Sequence, residues 1–262
     1  MIRRRKQYRS DLSKTEWKVI KPIIPTKQGP GRNMELSLRQ VLNAIFYVVR
    51  TGCQWREIPG DFPYWSSVYD HYRKWIKDGT WRQINAALCR LARQKQGRPA
   101  QPSGAVIDSQ SVKTTELAQE RGFDGYKRIK GHKRHIIADT LGHLLEVVVH
   151  TADIADCKGA PRLIDKVAET FPTIQKLWAD GAYQGDLIAL VKETLSAVLE
   201  IVERPAGQQG FQVLPKRWVV ERTFAWLGWY RRLSKDYERL LECSESMIYL
   251  ASIRLLLRRI AT

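Results

Sequence analysis

From residue 105 onward, short apolar runs follow one another in an order that few folds can accommodate. Ala105–Ile107 is the first. His135–Asp139 and Leu144–Val149 come next, separated by Thr140-Leu141-Gly142-His143, a good hairpin turn. After these three, strand-like runs alternate with helical patterns. A helix runs from Asp156 through Leu163, Ile164 and Val167, a strand covers 174–179, a helix holds Leu187 to Val191, and a strand covers 198–202. Trp218 to Trp229 is helical, and so is Ser246 to Ile260, with Leu250, Ile253, Leu257 and Ile260 on one face. Strands in succession and then strands alternating with helices predict an α/β fold, a mixed sheet covered by helices.

Two of these runs end on an acid: Asp108 closes Ala105-Val106-Ile107, and Asp180 closes Leu177-Trp178-Ala179. In an open sheet, the C-terminal strand ends are where side chains meet solvent and ligands bind. A third acid, Glu221, lies in the basic, Trp-rich helical segment from Lys216 to Leu227, four residues after Arg217. That order of Arg and Glu is the weaker helical ion pair, worth only ~0.2–0.5 kcal/mol, so stability alone explains it poorly. The three acids are too far apart in sequence for a local motif and can meet only through the fold. Carboxylates that meet repel one another unless they share cations. Hard divalent ions prefer such oxygen donors, and Mg²⁺ keeps positions open for phosphate oxygens. Two such ions ~3.5–4 Å apart can activate an attacking oxygen and stabilise a leaving one. Asp139, Asp153 and Asp156 are rival acids, but Asp139 precedes a hairpin turn and Asp156 a helix, both structural uses of Asp, and the three are left out of the set.

The charge balance points to the substrate. Lys and Arg total 44 against 27 Asp and Glu, a net charge of +17. An excess of this size is a statement about partners, and nucleic acid is the commonest. The cations recur at Arg3-Arg4-Arg5-Lys6, Lys127 to Arg134, Arg231-Arg232 and Arg258-Arg259, which suits a long phosphate track whose affinity falls with salt. Lys127, Arg128, Lys130, Lys133 and Arg134 are expected to contact phosphate. Four cysteines without CxxC spacing, and His132 and His135 without HExxH spacing, support neither a disulfide framework nor a zinc site. A reducing cytoplasm is the expected compartment. No apolar run reaches the ~18 residues of a membrane span, and the basic start is not a secretory signal.

Residues 93–104 are polar and carry Pro99, Pro102, Gly97 and Gly104, which predicts a linker between a helical part (1–92) and the mixed part (105–262). In the helical part, Asp11 and Ser13 offer caps for a short helix through Trp17 and Ile20, stopped by Pro22 and Pro25. Ser37 caps a second, with Leu38, Val41, Leu42, Ile45, Val48 and Val49 at helical spacing, ended by Gly52. Ser66-Ser67 opens a third, from Val68 to Ile76, which carries His71, Tyr72, Arg73, Lys74 and Lys77. That outline fits a helix-turn-helix DNA reader, and equally a plain bundle with a solvated charged face.

Several blocks together resemble bacterial insertion-sequence transposases of the DDE type, in the IS4/IS5-like group. In the helical part the resemblance rests on Val41 to Tyr47, Arg50 to Arg56, Asp61-Phe62-Pro63 and Trp65 to Tyr69. Beyond it, the resemblance rests on Ile107 to Gln110, Lys130 to His135, Ala179 to Tyr183, Val220 to Leu227 and Arg231 to Glu238. It covers nearly the whole chain, and the blocks are specific in combination. It implies an RNase H-like fold with catalytic, metal-holding residues Asp108, Asp180 and Glu221 and with two Mg²⁺ or Mn²⁺ ions. It implies double-stranded DNA as partner, cleavage at terminal inverted repeats, strand transfer into target DNA, and a dimer that handles two ends together. Related transposases carry an Arg four residues before the Glu, which Arg217 matches, and a Lys seven residues after it, where this chain has Gly228. Lys235 or Arg231 is the candidate for an equivalent cation. The DNA-contacting set is then Arg217, Lys130, Lys133, Arg134, Arg73, Lys74, Arg231, Arg232 and Lys235. The alternative function is a non-catalytic DNA-binding repressor derived from a transposase.

Overall fold

A computed structural model describes residues 5–25, 36–202 and 216–262; Arg3 and Arg4 of the first basic run lie outside the described residues. Four helices come first: α1 (Lys14–Ile20), α2 (Leu38–Thr51), α3 (Trp65–Lys77) and α4 (Thr80–Lys95). Helix α1 starts where the sequence places it, with a reciprocal capping box between Ser13 and Glu16. Helix α2 ends on Gly52 in the left-handed conformation (φ 76°), and the tight approach of the Arg231-Arg232 backbone leaves little room for a side chain there. The HTH-like outline is realised only as geometry of packed helices: the aromatic side of α3 is buried through Tyr72 and Trp75, and Trp75 stacks edge-on against Trp81 of α4.

The rest is β1 (Gly104–Lys113), β2 (Gly122–Asp124), β3 (Ile129–Asp139), β4 (Leu144–Thr151), α5 (Asp156–Gly159), α6 (Pro161–Thr170), β5 (Lys176–Ala179), α7 (Asp186–Leu195), β6 (Val198–Ile201), α8 (Arg217–Leu227) and α9 (Leu241–Ala261). The sheet order is β2-β3-β1-β5-β6, with β4 also on β3. β1 to β3 and β3 to β4 are antiparallel, while β1 to β5 and β5 to β6 are parallel. Ala105, Val106 and Ile107 are buried on both faces, as a strand at the centre of a covered sheet requires.

Three local expectations are corrected. β1 does not stop at Asp108 but continues to Lys113, because residues 108–113 find partners along β3 despite their polar composition. The stretch expected to be linker begins inside α4, and the Arg93 guanidinium lies 2.6 Å from the buried Asp139 carboxylate on β3. Asp156 does not cap its helix; Ala155 holds that position without a side-chain bond. Helix α9 ties the parts together. It is buried from Cys243 to Leu257 on nearly every side, and its Arg254 pairs with Glu16 of α1 at 3.1 Å. Among the described residues, no helix is long and apolar enough to cross a membrane.

Candidate active site

The parallel pairing of β1 and β5 ends at Val106 and Trp178. Two residues beyond that pair come Asp108 and Asp180, so the register carries both acids to the same level, at the point where β5 stops and β1 runs on against β3 only. Asp180 leaves β5 into a single helical turn and accepts the Ala182 N–H at 3.0 Å. Asp108 is partly buried and accepts the N–H of Ser109 at 2.7 Å. Its carboxyl is pushed up to about 6. Burial is the main cause and the charge of Asp180 adds to it, while the Ser109 bond and the charges of Arg217 and Lys127 oppose it.

Helix α8 brings the third acid. Arg217 reaches both Asp180, at 3.5 Å, and Glu221, one turn along its own helix, at 3.8 Å. Glu221 is half exposed (53%) and joins the pair through that guanidinium rather than by direct approach. Among the described residues, no three acidic, His or Cys side chains stand close enough to grip one ion. Asp108 and Asp180 meet as a pair, and Glu221 faces them across Arg217. The donor set nonetheless fits a hard divalent cation: all ligands are oxygens, and Asp108 is a carboxylate held beside a like charge, with no cation hydrogen-bonded to it among the described residues.

What holds α8 there is a stack of rings and guanidinium groups. Arg222 lies 4.3 Å over Trp218 and 4.4 Å over Trp226, and Arg259 of α9 lies 4.1 Å from Trp226. Arg222 donates to the Leu141 carbonyl at 3.1 Å and Thr223 to that of Gly142 at 3.1 Å, which fixes α8 on the β3–β4 turn. Trp226 and Tyr230 are therefore packing residues, whereas Trp229 is exposed.

A cleft of about 510 Å³ opens beside the two acids, lined also by Phe123, Asp124, Tyr126, Lys127, Lys133, Asp153 and Asp156. On its far side the carboxylate of Asp124 accepts the N–H groups of Tyr126 at 3.1 Å and Lys127 at 3.0 Å, and the Ser111 hydroxyl at 2.6 Å. The turn carrying the exposed Tyr126, Lys127 and Arg128 is thus fixed from beneath. Burial would raise the Asp156 carboxyl, but hydrogen bonds from His135 and Lys133 and the Lys133 charge hold it well below the usual range.

The expected phosphate contacts divide by placement. Lys130, Lys74, Arg231 and Lys235 are exposed, and Arg217 faces the acids. Lys133, Arg134 and Arg232 are enclosed. Arg134 donates to the carbonyls of Leu233 (2.8 Å) and Lys235 (3.2 Å), and Arg232 pairs with Glu238 at 2.7 Å. A guanidinium or ammonium closed in this way has no free face for a phosphate. Arg73, half-buried, holds Glu242 at 2.9 Å. Sequence reasoning missed Asp124 and read Asp156 as a helix cap. The signal was available in the alternation: Ser109 and Ser111 sit opposite His135 and Lys133 across β1 and β3, a polar row inside a buried sheet.

Residues 99–256 match the family described as "Transposase DDE domain", and residues 12–85 match one described as a transposase of the IS4/5 family. The chain belongs to the family of the transposase DDE domain. The sheet with its helical cover is accordingly the RNase H-like fold expected for the DDE domain. The chain is 29% identical over 113 residues, 40% of its own length and 75% of the relative's, to "Insertion element IS402 uncharacterized 16.2 kDa protein" of Burkholderia cepacia. It is also 29% identical over 124 residues, 46% of its length and 86% of the relative's, to "Uncharacterized protein y4sN" of Sinorhizobium fredii. No solved structure matches.

Proposed function

We propose that this transposase binds the terminal inverted repeats of its insertion sequence, hydrolyses the phosphodiester at the element end, and joins the freed 3′-hydroxyl to target DNA. The observation that carries this is the Asp108–Asp180 pair at the end of the parallel register, with the Asp108 carboxyl raised to about 6 by burial and by the Asp180 charge. Asp108, Asp180 and Glu221 would hold the metal, Mg²⁺ or Mn²⁺, with two ions expected. Bound there, it would supply Lewis-acid stabilisation of charge on the attacking and leaving oxygens.

The chain's own residues do the rest. Arg217 holds Asp180 and Glu221 in mutual register across the two elements and screens their repulsion. Lys127 lines the cleft and Arg128 follows it as an exposed cation of the same turn, and in this reading the two bind the flanking phosphates. Lys130, Lys74, Arg231 and Lys235 extend that track as exposed cations, and Lys235 or Arg231 supplies the charge that Gly228 does not. Two ends handled together make a dimer on DNA the working assembly.

The test is cleavage of labelled DNA carrying the element's own terminal repeats, with Mg²⁺, Mn²⁺ or EDTA. Metal-dependent cutting in the wild type that is absent from Asp108→Asn and Asp180→Asn, with end-binding kept, is the expected result. Binding without cutting under any metal would overturn the catalytic reading in favour of a DNA-binding repressor.

A further inference from the structure

Lys133 is a charged side chain closed inside the cleft wall rather than a surface cation (5% exposed). Its ammonium donates to the Ile154 carbonyl at 2.8 Å and lies 2.9 Å from Asp156 Oδ1 and 3.8 Å from Asp124 Oδ2. One carbonyl and two carboxylate oxygens around a single positive centre are the donor chemistry of a hard-cation site, with a lysine in the place of the ion. The walls of this socket are themselves fixed. Asp156 Oδ1 also accepts the Ser109 hydroxyl at 2.9 Å and lies 3.3 Å from His135 Nε2, and Asp124 accepts the Ser111 hydroxyl at 2.6 Å.

A second observation points to the same place. The buried Tyr183 hydroxyl closes the same corner: it lies at the Ser109 side chain, near Asp108, Asp156 and Asp180.

We propose that Lys133 is the resident internal cation of the cleft: it fills an oxygen-lined socket that would otherwise take a divalent ion, and through Asp156 and Ser109 it sets the position of Asp108. The linkage is short. Ser109 follows Asp108 in β1 and its N–H holds the Asp108 carboxylate at 2.7 Å, so the Asp156 bond to the Ser109 hydroxyl anchors the strand at the catalytic residue. Lys133 thereby acts as a positioning residue, and it excludes metal from the acids on its own side of the cleft. Asp108 and Asp180, beyond its reach, stay available. The positioning role rests on the catalytic reading above, whereas the socket does not depend on it.

The experiment is a Mn²⁺ titration of the full chain, read by electron paramagnetic resonance and calorimetry, on wild type, Lys133→Met, Lys133→Met/Asp156→Asn and Lys133→Met/Asp108→Asn. Lys133→Met should bind one Mn²⁺ more than wild type. The extra ion should disappear when Asp156→Asn is added and persist when Asp108→Asn is added. Equal binding by wild type and folded Lys133→Met would overturn the proposal. So would an extra ion that vanishes with Asp108→Asn and survives Asp156→Asn. If Lys133→Met does not fold in metal-free buffer, Mn²⁺ should restore its thermal transition; a variant unfolded with and without Mn²⁺ refutes the socket. Wild type that binds no Mn²⁺ sinks the catalytic reading, while the difference between variant and wild type still decides this one.

Discussion

The protein contains two kinds of withdrawn aspartate, and the contrast between them separates scaffold from site. Asp139, Asp236 and Asp156 each have a cation or imidazole of their own: Arg93 at 2.6 Å, His132 at 2.9 Å and Lys133 at 2.9 Å. All three are held below the ordinary carboxylate range against the opposing effect of burial. Asp108 has a backbone N–H and a second carboxylate for company, and is raised instead. The difference is not depth but partnership. A matched buried pair is silent, whereas an unmatched acid stores free energy that a bound cation can recover.

Breaking a matched pair should give the largest effect on folding. Arg93→Met takes the guanidinium from the buried Asp139 and leaves it only the His143 imidazole at 3.2 Å, and the expected loss is up to about 3–5 kcal/mol. That corresponds to a fall of roughly 6–20 °C in melting temperature, read by calorimetry. A smaller change would mean that the turn N–H groups of Leu141 and His143, which Asp139 also accepts, suffice for its charge.

The unmatched acid should behave in the opposite way. Asp108→Asn is expected to remove DNA cleavage by at least about 10³-fold, the scale of losing a principal electrostatic stabiliser of the transition state. In metal-free buffer at neutral pH the same variant should melt higher than wild type, because a charge repelled by Asp180 is gone. A destabilised Asp108→Asn would place this residue with the matched acids.

The pH dependence sharpens the comparison. Asp108 has its folded value raised to about 6, above the 3.8 of the free side chain, so its destabilisation is present above about pH 6 and fades as pH falls towards 3.8. His150 runs the other way. Burial, chiefly, lowers it from 6.5 to about 4, so its contribution to stability is intact above pH 6.5 and lost as pH falls towards 4. The two partly cancel in the metal-free wild type. In Asp108→Asn the melting temperature should therefore fall more steeply between pH 6.5 and 4 than in wild type. Parallel pH profiles would show that Asp108 titrates normally. Mn²⁺ affinity should also weaken as pH drops through about 6, where protons compete for Asp108.

The smallest effect concerns the third acid. Arg217→Lys keeps a charge near Asp180 and Glu221 but loses the guanidinium whose Nη2 lies 3.5 Å from one and 3.8 Å from the other, since a guanidinium offers donors in fixed directions and an ammonium does not. Cleavage should drop about 10-fold while end-binding changes less, measured as kcat against KM. A loss confined to binding would make Arg217 a phosphate contact only.

Much of this was legible in the residues. The capping box of α1, the Gly52 stop of α2 and the hairpin at Gly142 depend on near neighbours, and each forms where its sequence signal lies. Polar stretches without periodicity were not legible in the same way. Residues 108–113 of β1 take strand form because β3 offers the pairing, and Lys133 and Arg134 turn inward because acceptors from distant segments close over them.

By itself, the sequence determined which residue types were available and how local elements start and stop: a basic chain, helices ahead of a mixed sheet, and acids following two of its apolar runs. Those depend on composition and on contacts within a few residues. Only the tertiary structure decided which acids are matched and which is left short of a cation. That outcome turns on whether a guanidinium, an imidazole or an ammonium from dozens of residues away arrives within about 3 Å, a distance at which charge pairing overrides what any residue prefers alone.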